Sequence, residues 1–445
     1  MAKGFQNSVA AAFIAEAIAV ACPWSESHAV PSFARQTGLP CSACHTAYPQ
    51  LTAFGREFKL NGYTFGGGDS DLPPLSAVFQ PSFTHTQKSQ PGGAAPHFDD
   101  NDNPALSQAS VIYGGKIFGN LGAFSQFTYD GVARRFAIDN TDIRYADTAK
   151  IAGADFVYGL TLNNNPTVQD LWNTTPAWRF PFASSPLAPE PAASTLIGGG
   201  LAQQVVGFGG YARWNRLVYA EITGYRTLSR RSQTVLGISP EGEDRIRGVA
   251  PYWRVALEHD FGDSNLSFGT FGLAADTFPG RDQSMGADHR LDLGLDGQWE
   301  YSVAPHTLGL YLRWTHERAE WTASKPLGNT DNPKDSLDSV SASVSYLYDL
   351  TYGFDLGFFS TTGGADATLY GSRTGKPDTD RVHFQLDYLP FNKDGGPSFW
   401  TWLNPKFVLQ YTMYTKFDGA RSNFDGNGRN ASDNDTLYLL MWAPL

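Results

Sequence analysis

The chain has 445 residues, a formal net charge of −11 at pH 7, 41% hydrophobic and only 17% charged residues, and three cysteines. Its mean hydropathy is negative and no apolar run of about eighteen residues appears beyond the N-terminal region, which excludes a bundle of membrane-spanning helices. The acidic balance and the lack of a basic patch exclude nucleic acid as a partner, and a single C-x-x-C excludes a four-thiolate zinc site.

In chain order, the first element is a secretory signal. Lys3 precedes an apolar run, Val9 to Ala21, interrupted only by Glu16, and Ser27-His28-Ala29 supplies small residues for cleavage before Val30. The other reading is a lipoprotein signal cut before Cys22, for which Ala19-Val20-Ala21 is a poor lipobox. The chain therefore divides into a signal peptide at 1–29, a small segment at 30–68 and a long remainder at 69–445.

The small segment carries Cys41-Ser42-Ala43-Cys44-His45. This is the C-x-x-C-H pattern of covalent haem c attachment: Cys41 and Cys44 would add to the haem vinyl groups, and His45 would ligate the iron from the proximal side. A redox dithiol also uses C-x-x-C, but the thioredoxin-like βαβ context is missing. Tyr48-Pro49 opens a helical pattern with Leu51, Phe54 and Phe58 on one face. Arg35, Arg56 and Lys59 are candidate partners for haem propionates, or ordinary surface charge. Under 40 residues bury too little apolar surface to be stable alone, so the segment is expected to dock inside the fold formed by residues 69–445.

Residues 69–445 alternate with period two. Leu308, Leu310, Leu312 and Trp314 alternate with Gly309, Tyr311, Arg313 and Thr315; Val382, Phe384, Leu386 and Tyr388 alternate with His383, Gln385 and Asp387. A soluble sandwich shares this alternation, but long strands, aromatic strand ends and loops that alternate in length favour an all-β, roughly 16-stranded antiparallel outer-membrane barrel. The expected strands are near 75–87, 106–118, 121–130, 134–146, 153–163, 201–214, 216–227, 249–260, 264–276, 288–301, 306–317, 338–349, 352–361, 381–391, 405–416 and 435–442. The short 130–134 connection and the long 392–404 turn break the pattern of loop lengths. The 164–200 stretch, with Trp172, Trp178, Phe180 and Phe182, reads either as a constriction folded into the lumen or as an outer loop.

Candidates for the ligand opposite His45 are His85, nearest in sequence but on the lipid-facing parity unless Pro81 introduces a bulge, and His383, on the lumen parity. Met285, Met413 and Met441 are weaker candidates. Acidic stretches at Asp99–Asp102, Asp331–Asp338 and Asp418–Asp435 fall in expected outer loops and would attract cations.

Pro31-Ser32-Phe33-Ala34-Arg35-Gln36-Thr37-Gly38, the Cys41–His45 motif, and Leu51-Thr52-Ala53-Phe54-Gly55-Arg56-Glu57-Phe58-Lys59-Leu60-Asn61-Gly62-Tyr63 together resemble the cytochrome head of the fused outer-membrane cytochrome–porins, monohaem proteins whose best-known members are iron(II) oxidases of iron-oxidising bacteria. The resemblance implies one covalent haem c on Cys41, Cys44 and His45, within a Gram-negative outer-membrane barrel bathed in lipid. It also implies electron flow from extracellular Fe(II), or another extracellular donor, to a periplasmic cytochrome, with His45 the protein ligand of the sole redox centre. An iron(II):cytochrome c oxidoreductase is one reading. The alternatives are a porin-like channel whose haem serves sensing or structure, and a conduit for another extracellular donor or acceptor.

Overall fold

A computed structural model describes residues 31–66, 73–239, 244–397 and 403–445. The expected signal peptide and residues Gly67 and Gly68 lie outside them.

The first half of the wall is built from β1 (Leu75–Thr86), β2 (Asn103–Phe118), β3 (Leu121–Asp130), β4 (Arg135–Ile151), β5 (Ala154–Asn163), β6 (Val205–Trp214) and β7 (Val218–Thr227). The two-residue β8 (Arg245–Ile246) comes next. The second half comprises β9 (Ala250–Phe261), β10 (Ser264–Phe278), β11 (Asp288–Val303), β12 (His306–Glu320), β13 (Lys334–Tyr348), β14 (Tyr352–Gly363), β15 (Thr379–Tyr388), β16 (Lys406–Lys416) and β17 (Thr436–Pro444). Each long strand pairs antiparallel with its sequence neighbour, β7 pairs directly with β9, and β17 closes onto β1. The wall is thus a closed barrel of sixteen strands, with β8 a short addition beside β10. Closure leaves no unpaired edge, which a lipid environment requires.

The expected parity holds. On β11 and β12, Leu293, Leu295, Leu310, Leu312 and Trp314 face outward, while Asp292, Asp296, Gln298, Arg313 and Thr315 are buried inside. The register sets Leu295 beside Trp314 and Asp296 beside Arg313. A soluble sandwich would bury the apolar set; here it is the exposed set, so it faces lipid. Aromatics such as Tyr301, Tyr348, Tyr352 and Tyr388 crowd one rim. Among the described residues, no helix is long and apolar enough to cross a membrane. Leu312, near the middle of β12, is 61% exposed. Leu312→Arg is expected to destabilise the barrel in lipid by about 2–4 kcal/mol, measured by denaturant unfolding in vesicles, whereas an arginine on the lumen parity carries no such cost.

The turns between β2 and β3, β4 and β5, β6 and β7, β9 and β10, β11 and β12, and β13 and β14 are tight, and they lie at the same end as the start of β1 and the end of β17. The opposite end carries most of the long loops; the exceptions are the short β3–β4 connection at that end and the long β15–β16 connection at the turn end. Short turns mark the periplasmic end of such barrels and long loops the outer end.

Two segments fill the lumen. The stretch between β5 and β6 folds inward, which decides between the two readings of residues 164–200. Its buried Asp170 accepts from the backbone N–H groups of Trp172, Thr174 and Thr175 at 2.9–3.0 Å, knitting a compact turn. Thr174 Oγ1 donates to Asp296 at 2.5 Å, and the Leu196 and Ile197 amides donate to Glu317 and Asp292 at 2.7 and 2.6 Å. The second segment is N-terminal: α1 (Pro31–Thr37), α2 (Cys41–Cys44) and α3 (Ala53–Leu60). The helix expected to open at Tyr48-Pro49 begins at Ala53 instead. His45 and Leu51 pair as an antiparallel bridge, which places Pro49 in a tight turn, and Thr52 Oγ1 caps α3 by accepting from Gly55 N at 3.1 Å.

Candidate functional site

The three side chains of the C-x-x-C-H motif are arranged by contacts local to the N-terminal segment. The His45 amide donates to Cys41 O at 2.9 Å, closing the α2 turn. Thr52 then ties α2 to α3: its amide donates to Cys44 O at 2.9 Å and its hydroxyl to Ala43 O at 2.5 Å. Phe33 packs edge-on against Phe58 at 4.9 Å and stacks on Tyr63 at 5.6 Å, so α1, α3 and the turn after it share one aromatic contact. Phe58 is buried, as its face of the helix predicts, but Phe54 is 37% exposed. Gly55 sits where α3 crosses α2, and a Cβ there would overlap the Cys44 carbonyl oxygen. Gly55→Ala is expected to destabilise this crossing by about 1–3 kcal/mol, read as faster protease cutting within residues 41–60 of an otherwise intact barrel.

Residues of the wall and of the connection leading into β16 complete the site. Asn404 Nδ2 donates to Cys41 Sγ at 2.7 Å. Tyr48 OH donates to Asn404 O at 2.7 Å and to Trp442 O at 3.1 Å, and Lys406 Nζ donates to Tyr48 O at 2.9 Å. Arg56, 1% exposed, bridges α3 to two strands, reaching Glu258 at 3.0 Å and Glu300 at 2.7 Å. Glu57 pairs with Arg213, Tyr63 OH donates to Asp142 at 2.8 Å, and Tyr211 OH donates to Leu60 O at 2.7 Å. Lys59 Nζ donates to Val168 O and Asp170 O at 2.8 and 2.7 Å, joining the two lumen segments. Burial, with the Arg144 guanidinium nearby, pushes the Lys59 amine down to about 7. Arg56 and Lys59 are therefore held by the barrel and its inserted segment, and Arg35 donates to the Pro73 and Leu75 carbonyls. Of the three, Lys59 also lines the cavity shared by Cys41, Cys44 and His45.

Cys41, Cys44 and His45 all line one cavity of about 1250 Å³, mouth included, near the periplasmic end. Phe33, Leu39, Phe58, Phe124, Trp178 and Trp442 give it mainly apolar walls. Neither cysteine is in a disulfide. Burial, and then the neighbouring Cys41, push the Cys44 thiol up to about 12, opposite to the lowered value a redox dithiol needs. His45 Nδ1 lies 3.3 Å from Gln50 O. In the tautomer that donates this bond, Nε2 keeps its lone pair; burial pushes the imidazole down to about 4 and so keeps it neutral. Cys41, Cys44 and His45 are the residues able to hold a cofactor here.

Neither expected opposite ligand lines this cavity. His85 lies on the outward parity of β1, with Nδ1 2.7 Å from Asp102. The bulge at Pro81 does form, but its extra residue, Ser107, is in β2, so the parity of β1 is unchanged. His383 is inside the lumen as its parity predicts, but toward the outer end, where Nδ1 meets Thr412 Oγ1 at 2.9 Å. Met285, Met413 and Met441 do not line the cavity either. Among the described residues, no group of three or more histidine, cysteine or acidic side chains is arranged to hold a metal, in the acidic outer stretches or elsewhere. Asn404, Lys406 and Trp442 carry no local sequence signal. They reach the motif only because closing the barrel brings the last two strands beside the first.

A closed sixteen-strand wall, apolar outside and polar inside, defines an outer-membrane porin-type β-barrel of a Gram-negative cell, in contact with lipid. Neither a family model nor a curated protein matches the chain. Among solved structures, it is similar to the outer-membrane channel DcaP of Acinetobacter baumannii (10% identity, TM-score 0.45, 86% of this chain and 100% of that one). It is also similar to an anion-selective porin from Comamonas acidovorans (13% identity, TM-score 0.43, 83% and 98%) and to OccK2 of Pseudomonas aeruginosa (14% identity, TM-score 0.37, 83% and 97%).

Proposed function

We propose that this porin-type barrel is an electron conduit between extracellular Fe(II) and a periplasmic cytochrome, in which Cys41, Cys44 and His45 would hold a haem c. One observation carries the reading. Two unbridged cysteines and a neutral imidazole converge on a single apolar cavity at the end of the barrel where a periplasmic carrier would dock. The donor set fits the group: two thiols for thioether bonds, and an imidazole whose Nδ1 can be fixed by Gln50 O while Nε2 is left for iron. When bound, haem supplies a one-electron redox centre. The chain's own residues do the rest. Asn404 and Thr52 orient the cysteine turn, Gln50 sets the His45 tautomer, and the aromatic walls exclude water. Fe(II) as donor rests on the resemblance of residues 31–63 to the cytochrome–porin head, and the net charge of −11 suits a cationic donor.

A second reading, a channel for solutes, has its own observation. The cysteine–histidine cavity shares Pro49, Gln108, Gln126, Trp178 and Trp442 with a middle cavity. That cavity in turn shares Arg179, Ser184, Arg381 and Tyr438 with a third near the outer end.

Stopped-flow mixing of the oxidised holoprotein with Fe(II) separates the two. The conduit predicts that the haem absorbance shifts to the reduced form. A haem that dithionite reduces and Fe(II) leaves unchanged would overturn the iron reading.

A further inference from the structure

The outer half of the lumen gathers positive charge that the barrel does not neutralise. Arg313 projects inward from β12, Arg381 from the outer end of β15, and Arg179 from the inserted segment, and all three line one chamber of about 1330 Å³, mouth included. Among the described residues, none of the three forms an ion pair with a carboxylate. The acidic group that faces Arg313, Asp296, is already taken by Arg254 at 2.6 Å. Arg381 lies over the Phe359 ring at 5.2 Å and hydrogen-bonds Tyr414. The one carboxylate lining the chamber, Glu190, is exposed at its rim.

A second observation points to a ligand. His383 is 2% exposed and lines the chamber, its Nδ1 is satisfied by Thr412, and its buried Nε2 has no partner. The Nε of Arg313, 5% exposed, is likewise buried without a partner. In the tautomer whose Nδ1 accepts from the Thr412 hydroxyl, His383 Nε2 carries the hydrogen and is a donor like Arg313 Nε. Buried polar atoms in native proteins are normally satisfied, so orphaned donors around one chamber mark a place where an acceptor binds.

We propose that Arg179, Arg313, Arg381 and His383 form a binding site for a small oxyanion. Guanidinium groups present paired N–H donors that match carboxylate and phosphate oxygens. Their field is focused by the low-dielectric wall around them. The chamber shares lining residues with the middle cavity, and that cavity with the one at Cys41, Cys44 and His45; in the chamber itself the three guanidinium groups would favour anions and disfavour a free divalent cation. An iron donor that enters the lumen would do so as an anionic chelate. The site shares no lining residue with the cysteine–histidine cavity and stands whether or not that cavity holds haem.

The test is calorimetric titration of the full-length protein in detergent with inorganic phosphate and, separately, with citrate. Binding of either supports the site, and which one binds identifies the class of oxyanion. Arg313→Gln and Arg381→Gln are each expected to weaken binding at least tenfold, while Arg226→Gln, on the outer surface, leaves it unchanged. Heat-dependent gel mobility checks that each variant is a folded barrel. In planar bilayers under a salt gradient, the wild type is expected to prefer anions and the double variant to lose that preference. Binding of neither probe, or binding unchanged in a folded Arg313→Gln barrel, overturns the proposal.

Discussion

Replacing Arg56 by alanine is expected to unseat the N-terminal segment from the barrel while leaving the wall closed. Arg56 is the central tie of α3: its guanidinium meets Glu258 on β9 and Glu300 on β11, and also donates to Leu51 O at 3.1 Å. Truncation leaves two carboxylates in the lumen without this cation. Removing one partner from a buried ion pair costs about 3–5 kcal/mol, because the remaining charge is stranded. A segment of under 40 residues has little independent stability to absorb that loss. The wall depends instead on its backbone ladder, which Arg56 does not enter. Limited proteolysis is expected to cut residues 31–66 in the variant and spare them in the wild type, with higher single-channel conductance as the lumen empties. Arg56→Lys keeps the charge but loses the two-pronged geometry, and an intermediate effect is expected. Equal protease resistance of wild type and Arg56→Ala would show that the aromatic contacts and Lys59 hold the segment without it.

The wall was legible in the sequence because period two is a local signal. Any stretch such as Leu308 to Thr315 declares both faces of its strand, and the observed burial agrees with it. The contents of the lumen were not, because their partners are remote. Asp170, Thr174 and Gln169 look like ordinary loop residues until Arg254, Asp296 and Tyr225 are set opposite them. The same holds at the motif. C-x-x-C-H names its own chemistry, but Asn404, which holds Cys41, lies 363 residues away along the chain. Pro49 shows the opposite failure. Proline after an aromatic residue fits a helix start, yet Thr52 is the better cap and the bridge between His45 and Leu51 claims the intervening residues for a turn. Pro81 shows a third. A bulge was legible there, but not which strand would carry the extra residue, and that alone decides which way His85 faces.

Replacing both Cys41 and Cys44 by alanine is expected to abolish covalent haem without opening the barrel. The two thiols sit at the first and last positions of a four-residue helix, about one turn apart, and line the same cavity as His45, and nothing in the wall ladder depends on them. Cys41 does accept from Asn404, so a modest loosening of the segment is expected. Leaving that one amide donor without its acceptor costs about 1–3 kcal/mol, too little to unfold a closed barrel. The decisive measurement is the mass and thiol content of denatured protein from cells that mature c-type cytochromes. Wild type is expected to carry the added mass of one haem, to keep its haem stain on a denaturing gel, and to resist thiol alkylation. The double variant is expected to lose the mass and the stain together while keeping its heat-dependent mobility, and Cys44→Ala alone to keep a single thioether with a shifted haem spectrum. Two freely alkylated thiols in the wild type would reverse the assignment. His45 would then be an ordinary cavity histidine, the electron-conduit reading would fall, and the linked cavities through the lumen would stand as the path of a solute channel.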